Sequence, residues 1–167
     1  FGGCSGFTGE LVIPEGVTEI ENYTFSGCSG FIGELVLPKS LTSIGDSAFY
    51  GCSRFTGDLV IPEGVTEIEN STFSGCSGFT GELVLPKGLT SIGDCAFDGC
   101  SGLTGDLVIP EGIEEIEYST FSSTGLKSVR LPKSTTYIGD YAFAYDYFLN
   151  RIEIPATVEF IGENAFA

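Results

Sequence analysis

The sequence contains no His, no Trp and no Met, and only 7 Lys and Arg against 23 Asp and Glu. Without His there is no Ser–His or Cys–His nucleophile pair and no His-containing zinc site. A formal charge of -16 argues against sequence-independent binding of nucleic acid, which needs Lys and Arg to neutralise phosphates. It argues equally against an anionic membrane surface. No apolar run is long enough to span a bilayer, and no basic-then-apolar segment opens the chain. There is no initiator Met, so the 167 residues read as a stretch of a longer protein. What is present is apolar: 42% of residues are hydrophobic and 18% charged, so the chain can bury a core and is not a disordered acidic tail.

That apolar content is periodic. Phe stands at 1, 25, 49, 73, 97 and 121, then at 143 and 166. Pro stands at 14, 38, 62, 86 and 110, then at 132 and 155, and Cys4, Cys28, Cys52, Cys76 and Cys100 keep the same spacing of 24. The last two coils shorten to spacings of 22 and 23 and lose the Thr-Gly pair of FTGELVIP, leaving LKSVRLP and LNRIEIP. Several residue types sharing one register at this period signal a solenoid, one supersecondary unit per coil.

A period of 48 overlies the first. Equivalent positions of stacked coils form ladders at strand spacing, ~4.8 Å. The residue after Pro reads Glu15, Lys39, Glu63, Lys87, Glu111, Lys133, so opposite charges are neighbours. Glu19, Glu67 and Glu115 alternate with Ser43 and Ser91, and Glu21, Glu69 and Glu117 with Gly45 and Gly93. We read the alternation as relief of repulsion, since it separates like charges by ~10 Å, near the Debye length at 0.1 M salt; duplication of a two-coil unit is compatible with it.

Each unit opens on a short alternating run, Glu10-Leu11-Val12-Ile13, of strand character, which Pro14 ends. A shorter strand is expected within VTEI, followed by Gly-bounded turns such as NYTFSGC. No segment has the period of a regular helix. The expected core is a set of columns, among them Leu11 to Ile152, Ile13 to Ile154, Ile20 to Ile161 and Phe25 to Phe143.

LVLPKGLTSIGDCAFDGCSGLTG, residues 83–105, with Pro, Ile, Ala-Phe and Gly-Cys-Ser in register, resembles the BspA-like class of leucine-rich repeats. The resemblance covers essentially the whole chain. It implies a curved or flat parallel β-solenoid of the kind found on surface proteins of host-associated bacteria and some protozoa, which bind host matrix proteins or other cells. It supplies no catalytic residues and names no ligand. This sequence departs from the usual unit by an extra residue in FTGELVIP and by its acidic bias.

Five features are candidate sites. The first is the outer face of the main strands, where alternation turns Glu10, Glu34, Asp58, Glu82 and Asp106 outward beside Val12, Val36, Val60, Val84 and Val108. An unbroken acidic ladder beside an apolar one suits an extended or basic protein partner. It also suits a row of cation sites, or simply a stable, soluble sheet. Ser128, Arg130, Arg151 and Glu153 end the pattern. Second, the cysteine column reads as buried thiols, because parallel Cβ atoms ~4.8 Å apart exceed the ~3.8 Å a disulfide prefers; Cys95 lies outside that column. Third, Glu114-Glu115 would need a unique cleft to act as a glycosidase acid pair, and a repeated surface offers none. Fourth, Asn22-Tyr23-Thr24 and Asn70-Ser71-Thr72 match the N-glycosylation pattern but repeat simply because their coil does. Fifth, Tyr137, Tyr141, Tyr145, Tyr147 and Phe148 form an aromatic group near the end, with Asp146 in the cysteine column, which reads as the approach to a cap.

The expectation is therefore a single array over residues 1–167: a right-handed leucine-rich-repeat type parallel β-solenoid of about seven coils, ~33 Å long, with little or no regular helix. Its expected role is a non-catalytic protein-binding or adhesion segment of a cell-surface or secreted protein, with a host matrix or cell-surface protein as partner and no cofactor, metal, nucleic acid or membrane insertion. The alternative is a passive spacer holding another domain away from a surface.

Overall fold

Strand-length apolar runs, each closed by Pro and occurring once per repeat, cannot pair with themselves, so each must pair with its equivalent in the next coil. The computed structural model describes residues 2–167; Phe1, which opens the phenylalanine register, lies outside the described residues. All strand pairs are parallel, and the described residues include no helix. Each coil has three sides. One carries the valine strands, such as Leu59–Val60 and Asp106–Val108. The second carries two-residue strands from Glu19–Ile20 to Phe160–Ile161. The third is a column of turns. Six full turns of the solenoid separate the first and last rungs of the second side.

The turn column is hydrogen-bonded at every coil boundary. Phe25 N–H donates to Ala48 O at 2.8 Å, Phe49 N–H to Thr72 O at 2.9 Å, and so on to Phe143 N–H and Ala165 O. Each turn contains two left-handed residues. One column holds Tyr23, Ser47, Ser71, Cys95, Ser119, Tyr141 and Asn164, with φ between 50 and 59°. The other, four residues on, is mostly glycine. The phenylalanine rings stack from Phe25 to Phe166 with centroids 5.3–5.7 Å apart. A second stack runs Phe7, Phe31, Phe55, Phe79. These rings and the Ile and Leu columns form one continuous core, which no single coil encloses alone.

The 48-residue period is a property of backbone contact. On the second side, Glu19–Ile20 pairs with Ser43–Ile44, Glu67–Ile68 with Ser91–Ile92, and Glu115–Ile116 with Tyr137–Ile138 and Phe160–Ile161. Hydrogen bonds close each sheet at Gly45, Gly93, Gly139 and Gly162, whose N–H groups donate to Ile20, Ile68, Ile116 and Ile138 at 2.7–2.8 Å. A Cβ on Gly45 would lie 2.6 Å from the Asn22 nitrogen, and one on Gly93 2.8 Å from that of Asn70. Where Glu69 or Glu117 takes this position the equivalent bond is absent among the described residues and the sheet breaks. Steric access therefore explains the Gly/Glu alternation where charge relief was expected, and two glycines in succession, Gly139 and Gly162, extend the last sheet to three strands. The charge alternation is real in register, Glu19 opposite Ser43 and Glu67 opposite Ser91. The Glu/Lys ladder closes no ion pair among the described residues, the single pair being Arg151–Glu153.

On the valine side the register exposes the insertion. Gly33–Glu34 pairs with Phe55–Thr56 at an offset of 22, whereas Leu59–Val60 pairs with Leu83–Val84 at 24. The pairing slips by two residues there, looped out as a bulge, with φ +85° at Gly33 and +79° at Gly57. The shortened coils lack it, and there the strands Asp106–Val108, Ser128–Arg130 and Arg151–Glu153 pair uninterrupted over three residues.

Replacing Gly93 by Ala is expected to destabilise the array by about 1–3 kcal/mol, because the new methyl would meet both the Asn70 amide oxygen that caps Asp94 and the backbone of Glu69 and Asn70. Urea denaturation of the variant, read as a lower midpoint at unchanged slope, checks this.

Candidate binding face

The columns chosen by strand alternation do face outward. Val12, Val36, Val60, Val84 and Val108 are between 44 and 79% exposed, while Leu35, Leu59, Leu83 and Leu107 between them are buried. Val12 bridges Val36, and Val60 pairs with Val84, so these valines stand side by side in two pairs on one face, with Val108 on the strand that pairs with Ser128–Arg130. Glu10, Glu34, Asp58, Glu82 and Asp106 are all exposed beside it. The bulge seats these acids. The Glu10, Glu34 and Glu82 side chains lie over Gly33, Gly57 and Gly105, where a Cβ would sit 3.1–3.2 Å from their Cγ atoms. Asp58 turns back instead, its Oδ1 accepting the Glu82 N–H at 2.8 Å, and Asp106 Oδ1 accepts the Ser128 hydroxyl at 2.6 Å. Arg130 and Glu153 stand where valine stood, and Ser128 and Arg151 where the acid stood.

The cysteine column behaves as a set of small apolar residues with weak donors. All six cysteines are thiols, and Cys28, Cys52, Cys76 and Cys100 are buried. The Sγ–H groups of Cys52, Cys76 and Cys100 donate to the carbonyls of Phe25, Phe49 and Phe73, each at 3.1 Å. Burial pushes the Cys52 thiol up to about 12 and those of Cys76 and Cys100 well above their ordinary value. Cys95 is half-buried in the left-handed turn column.

The remaining candidates separate. Asn22 and Asn70 are committed to the backbone, each Oδ1 accepting the N–H of Asp46 or Asp94 at 2.8 and 2.9 Å, and Thr72 is fully buried. Glu114 and Glu115 are both exposed, and the Glu115 carboxyl, after desolvation, helps push Glu117 up. No ring contact joins the five terminal aromatics among the described residues. Tyr137 stacks on Phe160 at 4.9 Å, and Tyr141 meets Tyr118 edge-on at 5.9 Å. Tyr118 was not singled out because it lies a coil earlier, visible only once coils are superposed. Asp146 does take the cysteine position. Its Oδ1 accepts both the Thr124 N–H at 2.6 Å and the Thr124 hydroxyl at 2.9 Å, while Oδ2 is buried without a hydrogen-bond partner. Desolvation, opposed by those two bonds and reinforced by Asp98, pushes its carboxyl up to about 7.

Two outcomes follow from these buried groups. In the native protein at pH 8 a thiol reagent is expected to modify only Cys4 and Cys95, with the other four released on unfolding; counting titrated thiols in buffer and in denaturant checks it. Asp146 binds its proton more tightly folded than unfolded. Stability should therefore be fully present below pH ~4 and fall as pH rises to ~7, by about 1–2 kcal/mol once solvent screening of a partly exposed group is allowed for. The Asp146→Asn variant should lack this component when denaturation midpoints are compared at pH 4.5 and 7.5.

The sequence matches the BspA-type leucine-rich repeat family, in six copies over residues 1–81 and 79–167. A comparison with curated protein sequences gave no match. Among solved structures, the T. pallidum leucine-rich repeat protein is similar at TM-score 0.72 and 29% identity, over 92% of this chain and 71% of that one. A leucine-rich repeat protein from Bacteroides ovatus is similar at TM-score 0.66 and 29% identity, over 93% of this chain and 47% of that one, so this chain spans about half its length. A leucine-rich cell surface protein from Faecalibacterium prausnitzii, at 24% identity and TM-score 0.51, shares the fold. Leucine-rich repeats are generally non-catalytic scaffolds for protein–protein interaction. With the six-copy match and the parallel, in-register stacking of its coils, the chain belongs to the BspA-type leucine-rich repeat family.

Proposed function

We propose that this chain is a non-catalytic adhesion segment of a cell-surface or secreted protein, binding a protein partner through the valine–acid face. The observation that carries the reading is the set of five valines exposed on one face, four of them side by side in two cross-strand pairs, and flanked by carboxylates. Isolated exposed valines need no explanation, but the same apolar residue turned outward on one face at every coil from Val12 to Val108 is the kind of surface that marks interaction sites. The one-sided character of the face adds to this, since the core columns already satisfy the packing needs of the fold. A host matrix or cell-surface protein is the partner class suited to a repeated face, where contacts at successive coils act together. The Faecalibacterium protein is described as a cell surface protein, which supports the proposed location.

The combined variant Val36→Lys, Val60→Lys, Val84→Lys tests this against a panel of purified extracellular-matrix proteins on a biosensor. All three side chains are about half exposed or more, so each change should alter stability by no more than ~0.5 kcal/mol. Binding of the unmodified chain to a panel member, reduced at least about tenfold in the variant, is the expected result. A chain that binds no member is a spacer.

A further inference from the structure

Three features of the valine side end together. The two-residue insertion, the outward acid and the outward valine occur in each of the coils carrying Glu10, Glu34, Asp58, Glu82 and Asp106, and all three are gone from the next coil. There Arg130 takes the valine position, and in the last coil Arg151 takes the acid position and pairs with Glu153. The face thus ends at the rung of Asp106 and Val108, and the five rungs of this chain would span about 19 Å at strand spacing. Within it no Lys or Arg pairs with the acids among the described residues. Its two flanks differ: one is uniformly acidic, whereas the other alternates Glu15, Lys39, Glu63, Lys87 and Glu111 and is close to neutral.

Spacing selects the shape of what fits. Side chains on one face of an extended strand recur every ~6.8 Å, so over four rung intervals they run about 8 Å ahead of the coils and lose register. An α-helix advances ~5.4 Å per turn and drifts only about 2.4 Å over the same distance, within the reach of a Lys or Arg side chain. We infer that the face receives a basic amphipathic helix, laid along the solenoid axis, with its apolar row on Val12 to Val108 and its Lys/Arg row over Glu10 to Asp106. Arg130 and Arg151 repel the basic row and stop the helix at the fifth rung. This rests on the valine–acid face being the contact surface, and names the chemistry of its partner.

The probe is a synthetic 18-residue helical peptide with a Leu row and an adjacent Lys row. The controls are a peptide of identical composition with the rows scrambled, and a Leu/Glu peptide. Fluorescence anisotropy at 50 and 200 mM salt should show the basic helix binding at least about tenfold more tightly than either control, and more weakly at the higher salt. The variant Glu10→Gln, Glu34→Gln, Glu82→Gln should lose about tenfold and most of the salt dependence; Val36→Lys, Val60→Lys, Val84→Lys should lose binding. Urea denaturation of both confirms that they fold. Equal binding of the scrambled peptide, or a Gln variant that binds like the unmodified chain, overturns the inference. If the peptide fails while a matrix protein still requires the valines, the helix is wrong and the binding face stands. If the matrix protein ignores the valine variant, the face itself is wrong.

Discussion

Everything in this molecule depends on how closely one coil's backbone can approach the next. A single coil has no interior of its own; its Ile, Leu and Phe side chains are buried only because the neighbouring coil lies at hydrogen-bonding distance. The turn column meets that condition at every boundary, so the array is continuous there. The second side meets it only where the approaching residue is Gly, and Asn22 and Asn70 use the space so left to cap the next coil. The two-coil period is the visible result: a pair of coils is the hydrogen-bonded unit of the second side, and pairs are joined through the turns and the core.

The same constraint separates structural from functional surface. Inside, the columns are conservative in shape, with phenylalanine on phenylalanine and thiol on thiol, because each side chain must fit the one below. Outside, the inserted pair on the valine side loops away from the ladder and carries its acid over the next coil's glycine. The coils from Glu10 to Asp106 therefore turn an acid and a valine outward, while the last two, lacking the insertion, continue the strand Asp106–Val108 as a plain three-stranded sheet with an ion pair between Arg151 and Glu153. Asp146 shows what happens when an inner column is altered: a carboxylate in the thiol position obtains two bonds from Thr124 and leaves one oxygen buried and unpaired.

Much of this was legible in the chain itself. Period, coil number, core columns, the outward stripe and the buried thiols follow from residue spacing, because a side chain in a strand has two directions to point and the repeat chooses between them for every coil at once. The reason for Gly45 and Gly93 was not legible. Beside Glu21 and Glu69 they read as missing charges, whereas a clash with Asn22 or Asn70 exists only after two coils are brought together. The bulge itself was not legible for the same reason, since it is defined by the partner strand it fails to match. Likewise Tyr137 and Tyr141 look like one aromatic group along the chain but belong to different sides of the coil.

The sequence by itself determined that the chain stacks, in what register, and which residues form the core, since those are consequences of periodicity. Only the tertiary structure decided which coil boundaries close and where the bulge lies, because each depends on distances between residues a full coil apart along the chain. Periodicity can place such residues side by side, but whether their backbones touch is set by atoms the repeat does not encode.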